Sequence, residues 1–226
     1  MRNYQVSIVG TQALLLHADN IEWADQMEDW RSSKDNKKIS KAGDDRSPAW
    51  RWLGTVYHDD QHIVMPADNI MRALLQGGAM VPVPGGKNGK TFKSQSQSGI
   101  LPKATAWPLL LPKSGTEWLP IPWPSLAKLT GEKDFSKHKE AVVKVGGELF
   151  TKRVKIGQAK HIRVRPRFSR WMVVAEFGVS DEQITTEVLT DIVEMAGHYV
   201  GLGDWRPGGK TPGSYGMFGA TVKQLN

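Results

Sequence analysis

The chain has 226 residues and no cysteine. That excludes disulfide bridges, thiolate metal sites, iron–sulfur clusters and a cysteine nucleophile, and it suits a reducing compartment, so a cytoplasmic location is expected. Long apolar runs are missing too. No stretch approaches the ~20 residues that a membrane-spanning helix needs, and the N-terminus lacks the apolar core and cleavage pattern of a signal peptide. A soluble, unprocessed chain with no membrane partner is the expectation. No Ser-His-Asp, His-Glu-x-x-His or paired-carboxylate pattern occurs, so the motifs support no enzyme and assign no cofactor or metal. Acid is the scarcer charge: 30 Lys and Arg stand against 23 Asp and Glu, a net charge of +7. Such a surplus favours polyanionic partners without specifying one.

The length fits a single core with long insertions. Tyr4, Val6 and Ile8 alternate with polar residues and lead into Ala13–Leu16, which predicts a first strand from Tyr4 to His17. An acidic helix is expected over 19–31 and an exposed polar loop over 32–47. A hairpin over Val56–Met65 turns at Asp59 and Asp60, and Pro66 then opens a helix over 67–77 that ends at Gly77 and Gly78. Residues 84–103 hold Lys87, Lys90, Lys93 and Lys103 with no acid, the composition of a mobile basic loop. Six prolines and three tryptophans between Pro102 and Pro124 predict extended segments pinned by Trp packing. Together 84–131 reads as an insertion.

Val142, Val143 and Val145 resume strand patterning, followed by strands at 149–156, 161–165 and 171–179. Ser180 and Gln183 have capping-box spacing, which predicts a helix over 181–199. A Gly-rich loop and a last strand from Phe218 to Val222 close the chain. Two βαβ-like halves with antiparallel strands between them predict an α+β, ferredoxin-like (modified RRM) sheet with helices on one face.

Chemistry concentrates in two places. From Lys137 to Arg170 there are eleven Lys and Arg against two Glu, a local charge of +9. Lys152, Arg153 and Lys155 lie in one predicted strand. Arg163, Arg165 and Arg167 are two apart, so a continuing strand puts all three on one face, ~7 Å apart, near the phosphate spacing of a single strand. Arg170 follows. Such a run is either a phosphate track or a solvated face. The second place is Gly201–Gly219, with seven glycines, where Trp205 and Tyr215 offer stacking planes and Arg206 and Lys210 offer charge. It closes a helix rather than opening one, unlike a Walker or dinucleotide loop. The alternative is a turn that returns the helix to the sheet. The cluster from His58 to His62 reads as hairpin chemistry rather than a metal site, and His17 stands at a strand end.

The segment ending Leu-Leu-Leu-His17, then Ile63-Val-Met-Pro-Ala-Asp-Asn-Ile-Met-Arg-Ala-Leu-Leu75, then a late helix and a Gly-rich loop ending Ser-Tyr-Gly-Met-Phe-Gly219, resembles the RAMP superfamily, especially its Cas7-like backbone proteins. The resemblance implies a modified RRM that holds CRISPR RNA, with further copies of the chain and other effector subunits as partners, and brings His17 and Arg72 in as contact residues. Ala67 and Asp68 replace the small Gly-Ser or Ser-Ser pair common at that helix start, and Arg72 replaces a frequent Lys. The Asp that cleaves target RNA in some members has no assigned counterpart. A phage or mobile-element protein that binds single-stranded DNA, and a structural assembly protein, are the competing readings.

Overall fold

The computed structural model describes residues 1–41, 43–87, 89–113 and 116–225, with the backbone alone at 156. The chain is mixed α+β with antiparallel sheets, arranged in two compact units that are each discontinuous in sequence. The first comprises residues 1–15, 64–121 and 169–226, and the second 16–63 and 122–168. The segment 84–131 is therefore shared between them, and its positions 88, 114 and 115 lie outside the described residues. No described helix is long and apolar enough to cross a membrane.

The first unit is built on a six-stranded sheet. Its order is Phe218–Leu225, Arg2–Gly10, Met172–Val179, Leu110–Pro112, Trp118–Pro120, with Ile100–Pro102 also paired to Met172–Val179. The pairings are antiparallel, and Val6 lies opposite both Ala175 and Val222. This register puts Tyr4, Val6, Ile8, Val173, Ala175 and Phe177 on one buried face, and leaves Gln5, Ser7, Val9, Val174 and Glu176 half-buried or exposed on the other. Helices Ala67–Gly78 and Thr186–Met195 bury Ile70, Leu74, Leu189 and Ile192. They meet at Gly77, where a Cβ would strike backbone of Ile192 and Ala196. The Tyr4 hydroxyl lies 3.3 Å from Thr186 Oγ1.

Several expectations need correction. The first strand stops at Gly10, because the Trp171 indole packs where any Cβ would sit and donates to Gln12 O at 2.8 Å. Strand structure resumes only at Leu14–Leu15. The late helix starts at Thr186: Thr185 accepts from the Val188 N–H at 3.3 Å, while Asp181 accepts from the Gln183 N–H at 2.8 Å and holds a turn where the capping box was expected. It gives way to a π-helical turn, Ala196–Val200, where Gly197 meets the backbone of Phe218.

Residues 84–103 are not one loop. Lys93–Gly99 is a helix and Ile100–Pro102 a strand. Small residues bury that helix without large apolar ones, since Ser96 packs on Gly78, which is why composition alone misreads it. The Pro-rich segment is extended as expected, with Trp107 and Trp123 buried.

The second unit contains a long hairpin, Glu148–Ile156 with Ala159–Phe168, and helices Ile21–Ser32 and Phe135–Lys144. Val142 and Val143 lie in the latter helix, one buried and one 62% exposed, and Val145 caps its end, so the apolar triplet closes a helix rather than opening a strand. Within the expected 32–47 loop, Lys34–Lys37 is helical, and Asp44 and Asp45 are buried. Trp52 is fully buried, and its indole N–H donates to Nδ1 of the buried His138 at 3.1 Å. His58 stacks on Trp123 at 4.1 Å, and Asp59 accepts from the N–H groups of Gln61 and His62, which is the expected turn chemistry.

Candidate nucleic-acid interface

The basic run divides along its hairpin. At the tip, Lys152, Arg153, Lys155 and Lys160 are exposed. At the base, Arg163, Arg165 and Arg167 share a face as their spacing requires, yet that face is filled by acid. Arg163 Nη1 donates to Asp45 Oδ1 at 3.1 Å and Arg165 Nη1 to Asp45 Oδ2 at 3.2 Å. Arg165 is only 7% exposed and also donates to Val164 O at 2.9 Å. Arg167 donates to Glu148, its cross-strand partner, with its guanidinium 4.9 Å from the Phe150 ring centre. The row expected to lie open to phosphates is thus internally paired with Asp45 and Glu148.

Backbone pairing explains the change. Asp45 N–H donates to Ile162 O at 2.9 Å, and Ile162 N–H to Gly43 O at 2.7 Å, so a polar loop is laid against the hairpin. Gly43 has φ +75° and carries the ring of His161 where a Cβ would sit. Arg170 lies past the strand and is exposed. His17, also exposed, accepts through its carbonyl from the Tyr57 hydroxyl at 2.8 Å.

The Gly-rich loop folds on itself. A Cβ at Gly203 would overlap Leu15 O, one at Gly213 Trp205 O, and one at Gly216 Leu202 O. These glycines are required by the close approach of the chain to its own backbone. Trp205 is half-buried at φ +47°, a conformation unusual for a bulky side chain, with its ring centre 6.3 Å from that of Tyr215. Arg206 Nη1 donates to Gly203 O at 2.9 Å, and Lys210 is exposed.

The first unit also holds a cleft of about 850 Å³ that collects separated sequence features. Arg72 and Gln76, one turn apart on helix Ala67–Gly78, face Lys93 and Gln97 of the next helix, Tyr199 of the π-helical turn and Gly208 of the Gly-rich loop. Arg72 points outward because Ile70 and Leu74 take the core side. Asp68 is on the same wall. Tyr199 is 60% exposed. The sequence reading passes over Tyr199, although an aromatic next to the buried Val200 and off the Leu189–Ile192–Ala196 stripe is a detectable signal. Lys87 and Lys90 are exposed in the short loop before Lys93.

No family model matches the chain, and no curated protein matches it significantly.

Proposed function

We propose that the protein binds single-stranded RNA and, as the Cas7-like resemblance implies, holds CRISPR RNA in a ribonucleoprotein with further copies of itself and other effector subunits. The observation that carries this reading is the cleft of the first unit. Arg72 and Lys93 offer charge to phosphates, Gln76 and Gln97 offer amides to base edges, and the exposed Tyr199 offers a stacking plane. The Lys and Arg at the hairpin tip add cations suited to a polyanion.

The strand order supports the finer fold reading. With 2–10, 100–102, 172–179 and 218–225 counted as four strands, the order across the sheet is fourth, first, third, second, and a helix follows the first and the third. This order supports a ferredoxin-like arrangement of the kind the RRM reading expects. The open faces of the three longest strands carry Gln5, Ser7, Val9, Val174, Glu176, Thr221 and Lys223 rather than aromatic rings. Stacking is accordingly assigned to Tyr199 and not to the sheet surface.

The test is binding of labelled single-stranded RNA and DNA of one sequence to the full chain over a salt series. With about five phosphates engaged, log K falls against log salt with a slope of roughly −3.5. Arg72→Ala with Tyr199→Ala weakens RNA binding at least about tenfold, or ~1.4 kcal/mol. A flat salt titration, or wild-type affinity in a folded double variant, overturns the reading. Tighter binding of DNA than RNA transfers it to the single-stranded DNA alternative.

A further inference from the structure

The second unit contains a smaller polar pocket, about 240 Å³, whose walls include Arg31, Arg51, Arg163 and Arg165. Three of these guanidinium groups converge on a single carboxylate. Asp45 lies 3.4 Å from Arg51 Nη1, 3.1 Å from Arg163 Nη1 and 3.2 Å from Arg165 Nη1, and also accepts from the Val164 N–H. Asp19 is the other carboxylate on the wall, which leaves an excess of two positive charges around the pocket. Beyond that ion pair, buried Arg51 Nη1 has no hydrogen-bond partner among the described residues. Burial, together with repulsion from Arg31, Arg163 and Arg165, pushes the Arg51 pKa below its ordinary value.

A single carboxylate would suffice to fasten the 43–51 loop to the hairpin through one arginine. Gathering three arginines around it, with Arg31 on the same wall, costs desolvation and mutual repulsion that the two carboxylates do not fully offset. A second anion in the pocket removes that cost. The volume is below the roughly 300–1,000 Å³ typical of sites for larger ligands, so a compact group is required. Guanidinium forks match the oxygens of a tetrahedral oxyanion two at a time, and a dianion gains more than a monoanion from the same surplus.

We infer that this pocket is a binding site for a phosphate dianion, either as the free ion or as the terminal monoester of a nucleotide or oligonucleotide, held by Arg31, Arg51 and Arg163. It is separate from the cleft of the first unit, and its first probe contains no nucleic acid.

Titration calorimetry of the full chain with inorganic phosphate, against chloride at equal ionic strength, tests it. Saturable phosphate binding is expected in the wild type. Arg31 is exposed and its side chain makes no hydrogen bond among the described residues, so Arg31→Glu should fold with an unchanged melting temperature in chloride and bind phosphate at least about tenfold more weakly. Arg51→Gln serves as a second variant, with circular dichroism reporting its fold. The source is resolved by comparing 5′-phosphorylated and 5′-hydroxyl oligoribonucleotides of one sequence. Preference for the phosphorylated end, abolished by inorganic phosphate and by Arg31→Glu, supports the monoester, whereas phosphate binding with no end preference supports the free ion. Absence of phosphate binding in the wild type, or equal binding by folded Arg31→Glu and Arg51→Gln, overturns the site. A chain that binds RNA but not phosphate loses this inference alone, and one that binds phosphate but not RNA loses only the cleft reading.

Discussion

The tip and the base of the Glu148–Phe168 hairpin have almost the same composition and opposite fates. At the tip, Lys152, Arg153, Lys155 and Lys160 are exposed. At the base, Arg163, Arg165 and Arg167 meet Asp45 and Glu148. Nothing in the alternation of the residues separates the two halves. The difference comes from a loop more than a hundred positions earlier, whose backbone pairs with the strand at Ile162 and brings one carboxylate into the row. A run of positive charge is therefore no guide to an interface until its acidic partners have been located.

The comparison breaks most visibly at its buried side. Asp45→Ala leaves Arg51, Arg163 and Arg165 without their shared carboxylate, and the loss of stability is expected to be about 3–5 kcal/mol, read from urea unfolding. If unfolding is unchanged within ~0.5 kcal/mol, the typical range for surface changes, the base is as indifferent to its partner as the tip.

Reversing charge at the tip sharpens the opposite side. Lys152→Glu, Arg153→Glu and Lys155→Glu combined should leave urea unfolding within ~0.5 kcal/mol of wild type. The same variant should bind single-stranded RNA at least about tenfold more weakly, ~1.4 kcal/mol, and lower the salt slope by roughly 2 if three phosphate contacts are lost. Unaltered affinity in filter binding would place the tip outside the interface.

The smallest effect calibrates what an exposed pair does in the same unit. Lys137 Nζ lies 2.7 Å from Glu132, and the Asp134 N–H donates to the same carboxylate at 2.9 Å. The Lys137 hydrogen bond, with that backbone donor second, lowers the Glu132 pKa to about 2. A depressed carboxylate contributes stability in full above its unfolded value near 4.5, and the contribution fades as pH falls toward about 2. Wild type and Glu132→Gln should therefore differ slightly at neutral pH and converge in acid. A gap that stays constant from pH 6 to pH 2 would assign the difference to something other than ionisation.

Elements with strong periodicity were legible from sequence: the central strands around Val6 and Ala175, the Ala67–Gly78 helix and the Asp59 turn follow from local pattern. The failures lie where a distant residue decides. Trp171 ends the first strand by occupying the space beside Gly10, and Gly78 lets a polar helix containing Ser96 pack closely. The late helix start is a local contest, which Asp181 won against the capping box. Of the candidate site, Lys93 was named from the basic composition around it and Arg72 through the family resemblance, whereas Tyr199 and Arg51 acquire meaning only from what surrounds them in space.

The Asp45 cluster also fixes a timetable for the nascent chain. Asp45 and Arg163 are 118 residues apart, and the loop that joins them passes through the whole 64–121 segment of the other unit. At roughly 5–20 residues per second, a ribosome leaves Asp45 waiting about 6–24 s before Arg163 has been made. The first unit waits longer still, since its Phe218–Leu225 strand is made after Arg163. Folding of each unit is thereby deferred until its late strands have been made, and the early apolar segments around Leu14 and Trp52 must be kept from aggregating until then.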